Sequence, residues 1–215
     1  MDIEDLIDAI SNDVKTLFDG EGTGHDWWHI HRVMHNSIYI AEQEGADVEI
    51  AQITALLHDV GYHKFHIEKD APDKMITKIL KKYKVSNDFI EEILSNVKEV
   101  SFKGADVVTN ATSIEAKCVQ DADRLDAMGA IGIARAFAFG GNRNRMIYDP
   151  NVTPTLHSDF ETYKSDKGHT INHFYEKLLL LKDRMQTETG RAMAEERHQF
   201  METFLEQFYR EWEVV

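Results

Sequence analysis

His58 and Asp59 stand side by side at the end of an apolar run, Leu56-Leu57-His58-Asp59-Val60, which Gly61 closes. An imidazole and a carboxylate on an apolar surface each need a partner, because burying a polar group unpaired costs roughly 2–7 kcal/mol. A divalent metal ion would pair with both. Two other stretches can supply the remaining ligands. One is His25-Asp26-Trp27-Trp28-His29-Ile30-His31-Arg32-Val33-Met34-His35, which offers His29. The other is Asp121-Ala122-Asp123-Arg124-Leu125-Asp126, where three aspartates and an arginine sit among small apolar residues. Two imidazoles and two carboxylates suit one ion of borderline character, such as manganese, iron, nickel, cobalt or zinc. Four protein ligands leave positions open for water and a phosphate oxygen. Asp121 is two residues from Asp123, about 200° around a helix, so the two do not readily share one ion. His25 with His29, and His31 with His35, are four apart and share a helix face. Such pairs can bind metal, but are more often solvated or capping histidines.

The elements that must position these residues are helices. Apolar residues recur with helical period from Asp2 to Phe18 (Ile3, Leu6, Ile7, Ile10, Val14, Leu17). A second helix is expected from His25 to near Gly45. A third runs from an Asp47 cap to Val60 and stops at Gly61, with His58-Asp59 in its last turn. A fourth starts around Pro72 and reaches about Tyr83. A fifth is capped by Ser86-Asn87-Asp88. A sixth covers Ser113 to about Asp126 and is continued, directly or by another helix, to Phe137. Tyr62 to His66 and Ser101 to Asn110 read as loops. The longest irregular segment starts at Phe139 and carries Arg143 and Arg145. Long loops in compact domains are often functional. From Gly168 the chain is helical again, with a break at Thr187 to Gly190. Phe200, Phe204, Phe208 and Trp212 then form a packing stripe. The expected fold is all-α, one domain over 1–215: a core at about 20–138, the irregular loop at 139–166, and helices over 167–213 packing on the core.

Composition narrows the partners. The 215 residues are 42% hydrophobic and 29% charged, with three prolines, as in a soluble helical protein. A net charge of −14 argues against a polymeric nucleic acid, whose phosphates need a basic footprint. A small phosphorylated substrate remains compatible, since a metal and a few arginines can hold it. No apolar run approaches the 18 or so residues of a membrane span. The acidic start, Met1 to Asp5, is unlike a signal peptide. The single cysteine, Cys118, excludes an internal disulfide and a cysteine zinc cage. A cytoplasmic location is expected.

The three stretches together resemble the HD superfamily of metal-dependent phosphohydrolases, which carries a His, then a His-Asp doublet, then a distal Asp, all on helices. His29-Ile30-His31-Arg32-Val33 is similar to the family's first element, Leu56 to Gly61 to the doublet, and Asp121 to Leu125 to the terminal Ala-Asp-Arg element. The likeness extends to the YpgQ/YedJ-like branch through Arg145 to Pro150, His173 to Leu179 and Ala194 to His198, nearly the whole chain. The Gly-Tyr-Pro signature of a different HD type is missing, since Gly61-Tyr62 is followed by His63.

The resemblance implies an HD-type helical bundle with His29, His58, Asp59 and Asp123 as ligands of one divalent ion. Manganese is favoured, with nickel, cobalt, iron, zinc or magnesium as alternatives. It implies a nucleotide pyrophosphohydrolase that converts a nucleoside triphosphate to monophosphate and pyrophosphate, using water activated by the ion. Asp59 and His63 are the catalytic candidates. Lys64, Arg124, Arg143 and Arg145 are the candidates to hold phosphates, and a homodimer is allowed. Three other readings compete: a 5′-nucleotidase or other phosphomonoesterase, a nucleotide sensor without turnover, and a metal-stabilised scaffold that binds a protein through the aromatic stripe.

Overall fold

Every regular element among the described residues is helical, as the periodicity predicts. The computed structural model describes residues 2–20, 26–61, 71–100, 111–155 and 168–213. His25, His63, Lys64 and the expected loops at 62–66 and 101–110 lie outside them, as does 156–166 of the irregular segment. No helix in the described residues is long and apolar enough to cross a membrane. The chain divides into two compact units, Met1–Ser101 with Asn110–Ala122, and Phe102–Thr109 with Asp123–Val215.

The first unit is built around one short, almost wholly buried helix. α1 spans Ile3–Leu17 and begins where the Asp2 carboxylate accepts the Asp5 N–H at 2.8 Å. α2 spans Trp27–Glu44, capped by Asp26 and ended by Gly45 at φ 69°. α3 spans Val48–Leu57 and buries Ile50, Ala51 and every residue from Ile53 to Leu57. Such a helix must be covered on all sides. α1, α2 and α5 (Asn87–Val100) all pack against it. α4 (Ala71–Lys82) packs on α1 and α5. Just past its end, the Tyr83 hydroxyl donates to Asp13 at 2.7 Å, and Lys82 pairs with the same carboxylate at 2.7 Å. Burial opposes ionisation of Asp13, yet those bonds and the lysine charge hold its carboxyl below the ordinary value. α6 (Ile114–Asp126) starts in this unit, where Ser113 Oγ accepts the Ala116 N–H and donates to Asn96.

The second unit opens with the last turn of α6. The helix stops at Asp126, and α7 (Gly129–Asn142) begins anew at Gly129, φ 67°. Two arginines bind the join. Arg197 donates to the Leu125 carbonyl at 2.6 Å, and Arg135 donates to the Asp126 carboxylate at 2.8 Å. α8 (Thr170–Glu176) leads into a 3₁₀ helix, Leu178–Arg184, and then α9, Glu188–Glu213. α7 reaches three residues further than the expected start of the irregular segment. Residues 146–148 of that segment are held in place: the Met146 and Ile147 carbonyls accept from the Thr170 and Ile171 amides, and the Tyr148 ring lies among His169, Phe208, Tyr209 and Trp212.

The aromatic stripe on α9 is only partly a core stripe. Ala194, Met201 and Leu205 are the fully buried residues of its inner face, while Phe200 is 52% and Trp212 49% exposed. A spacing of four overshoots a helical turn by about 40°, so Phe200 and Trp212 point about 120° apart. Phe204, between them, packs on Phe174 and Phe137.

Candidate metal centre

Three of the predicted ligands meet in the first unit. Asp26 fixes the start of α2 by accepting the His29 N–H at 2.8 Å. That puts His29 in the first helical turn, on the face that also buries Ile30, Val33 and Met34. His29 is fully buried. His58 directly follows the last residue of α3 and keeps helical backbone angles. Gly61 then turns the chain away at φ 87°. A side chain there would put Cβ 2.5 Å from the Pro72 backbone, so only glycine fits between the doublet and α4.

His29 Nε2 lies 3.4 Å from His58 Nε2 and 3.4 Å from Asp59 Oδ2, and His58 Nε2 is 3.7 Å from Asp59 Oδ1. Each of the three residues offers one ligand atom, all within 4.8 Å of one another. His58 Nδ1 is 2.7 Å from the Ala55 carbonyl. A carbonyl only accepts, so Nδ1 carries a proton, and Nε2 faces the other two residues. Two ring nitrogens and a carboxylate brought to one point make a donor set for a cation. The set therefore fits a divalent ion, and imidazole with carboxylate suits manganese, iron, nickel or zinc more than calcium.

Asp123 belongs to the second unit, half-buried on α6. Its two spare neighbours are buried: Asp126 is paired with Arg135, and Asp121 lies in the first unit near Cys118. The acidic stretch is thus not a solvated edge. Burial, and then the charges of Glu44, Asp121 and Glu115, push the Cys118 thiol up to about 12, so it is an inert core residue.

The phosphate candidates divide. Arg124 donates from Nη1 to the Arg184 carbonyl, a bond that ties α6 to the 3₁₀ helix. Arg143 and Arg145 lie over the same ring, Phe139, at 5.3 and 6.0 Å, with Arg143 exposed and Arg145 half-buried. Sequence reasoning passed over Lys177, at the junction of α8 and the 3₁₀ helix. Burial pulls its ammonium down to about 8, against the attraction of Asp123 and with the help of Arg135 and Arg184. In sequence it reads as one more lysine on an amphipathic helix, and only the fold brings it beside Asp123.

The HD domain family model matches residues 27–128, which contain all four proposed ligands. The protein YpgQ of Bacillus subtilis is 36% identical over 205 residues, 92% of this chain and 89% of its own length. The crystal structure of YpgQ in complex with ADP has a TM-score of 0.77 at 33% identity, covering 98% of this chain and 97% of that one. An HD-superfamily hydrolase from Bacillus thuringiensis gives 0.80 at 38% identity over the whole of both chains. A protein from Lactobacillus plantarum gives 0.85 at 34% over 99% of each.

Proposed function

Since the chain belongs to the HD-domain family of metal-dependent hydrolases, we propose that it is a nucleotide pyrophosphohydrolase, cleaving a ribo- or deoxyribonucleoside triphosphate to monophosphate and pyrophosphate. The convergence of His29, His58 and Asp59 on one point carries this reading. The ADP in the YpgQ crystal supports a nucleotide as the class of substrate.

His29, His58 and Asp59 hold the ion, with Asp123 as the fourth protein ligand on the strength of its Ala122-Asp123-Arg124 motif. A divalent cation so held, manganese by preference, supplies Lewis acidity toward a phosphoryl oxygen and acidifies a water. The rest of the work is positioning and charge neutralisation. Asp59 orients the attacking water with its carboxylate, and His63 assists as an acid or base. Lys64, Arg124, Arg143 and Arg145 hold the phosphates, and Lys177 joins them from beside Asp123. Water adds at the α-phosphorus, the bond to the bridging oxygen breaks, and pyrophosphate leaves. The chain's −14 charge disfavours a polymeric nucleic acid. A buried thiol held protonated fits a cytoplasmic protein.

The test is a panel of nucleoside triphosphates incubated with protein loaded with manganese, cobalt or nickel, with monophosphate, pyrophosphate and orthophosphate resolved. Monophosphate with pyrophosphate in equal amounts is expected. Orthophosphate released from monophosphates would assign a 5′-nucleotidase instead. Binding without turnover of any nucleotide would assign a sensor.

A further inference from the structure

Two histidines of α2 take no part in the buried centre. His31 and His35 are one turn apart, and their Nε2 atoms lie 3.1 Å from each other. Their ring centroids are 4.3 Å apart at a tilt of 59°. His35 is exposed and His31 half-buried. His29 precedes His31 by two residues, about 200° around the helix, so this pair turns away from the fully buried His29.

We propose that His31 and His35 form a second cation site, on the outer face of α2, selective for a divalent transition ion of the copper or nickel type. Both nitrogens come from one 18-residue helix, so their separation is set by the backbone and needs no rearrangement. At a metal–nitrogen distance of about 2.1 Å, a separation of 3.1 Å corresponds to a bite angle of about 95°. That is the cis angle of a square-planar or octahedral ion. A tetrahedral ion at the same bond length needs nitrogens about 3.4 Å apart. Imidazole pairs in tetragonal geometry mark copper(II) and nickel(II), and copper binds more tightly across the first-row series.

In the absence of a cation the two rings share one N–H···N contact. Moving that proton to Nδ1 of its own ring, which solvent permits at an exposed site, leaves two lone pairs converging with no net change in protonation. Trp27 and Trp28 meet His31 edge-on, with ring centroids 6.0 and 5.6 Å away, and limit the ring's freedom.

The same tryptophans report occupancy. Copper(II) quenches tryptophan emission at short range, and two of the protein's three tryptophans flank His31. Manganese-loaded full-length protein is titrated with copper(II) chloride while emission is followed. Quenching that saturates near one equivalent is expected for the wild type. His35→Ala should need at least tenfold more copper, and His31→Ala should behave likewise. Asp59→Ala, which disables the buried centre, should be quenched as the wild type is. Paramagnetic resonance of the copper complex should show two equatorial nitrogens. Unchanged quenching in His35→Ala, or quenching abolished by Asp59→Ala, would assign the copper elsewhere and overturn the proposal.

Discussion

Asp59 Oδ2 lies 3.4 Å from His29 Nε2, across 30 residues of chain and between two helices. The contact joins the end of α3 to the beginning of α2. Among the three described residues that meet there Asp59 is the acid, so it supplies negative charge that helps to balance a cation. Asp59→Ala should leave the two imidazoles with one carboxylate fewer in the proposed set, which holds a divalent ion far more weakly. Loss of a group that only supports a ligand costs about 10–100-fold in metal affinity or activity, so loss of a ligand should exceed that. Metal content of the purified variant and its nucleotide turnover should fall together. Full turnover with normal metal content would refute the ligand assignment.

Gly61 controls the direction in which the chain leaves this doublet. Ala there must adopt φ 87° and place Cβ 2.5 Å from Pro72 Cα and 2.8 Å from its Cβ. A left-handed conformation alone costs a non-glycine residue about 1–2 kcal/mol. Displacing the first turn of α4 adds to that. With about 2–4 °C of melting temperature per kcal/mol at this size, Gly61→Ala should melt several degrees lower and bind metal less tightly. A melting curve superimposable on that of the wild type would show that the chain can leave Asp59 by another path.

How much of this was legible beforehand varies with the kind of signal. His58-Asp59 was legible because two polar groups ended an otherwise buried helix, and the structure brings His29 to within 3.4 Å of both. The helix boundaries were less so. A capping aspartate, Asp26, looks like any surface acid, and α2 starts two residues later than its histidine pattern suggested. Gly129 breaks α6 from α7 inside a run of small residues where nothing in the composition separates a bend from a continuous helix. At the start of α9 the break is displaced. A break is expected at Thr187 to Gly190; it falls at 185–187, where Thr187 Oγ1 accepts the Gly190 N–H as a cap, and the glycine is buried within the helix. Lys177 needed the fold itself, because Asp123 and Arg135, two of the charges that act on it, lie dozens of residues away in sequence.

His173 makes the stability of the protein sensitive to acid. Burial, and then the charges of Lys177 and Arg145, push its imidazole down from 6.5 to about 3. Between those values the native protein leaves it neutral while the unfolded chain protonates it. The unfolded state then binds more protons, so stability rises with pH across this window. His173 accordingly costs nothing above about pH 6.5, and an increasing amount as the pH falls toward 3. In His173→Gln the acid side of a melting temperature profile should be shallower than in the wild type. Parallel profiles from pH 7 down to pH 4 would mean that other groups set the acid response.

Phe200 and Phe204 separate packing from exposure on a single helix. Phe204 is half-buried, stacked at 23° on Phe174 with centroids 5.8 Å apart, and edge-on to Phe137 at 5.9 Å. Phe200, one turn earlier, is 52% exposed. Truncating a fully buried phenylalanine costs about 3–5 kcal/mol; a half-buried ring should lose about half of that. Phe204→Ala should therefore cost about 2 kcal/mol and lower the melting temperature by about 4–8 °C. Phe200→Ala should fall within about 0.5 kcal/mol of the wild type. Thermal unfolding of the two variants side by side reads the difference. Equal losses would mean that Phe200 is covered in solution, and that the outer face of α9 has a partner there.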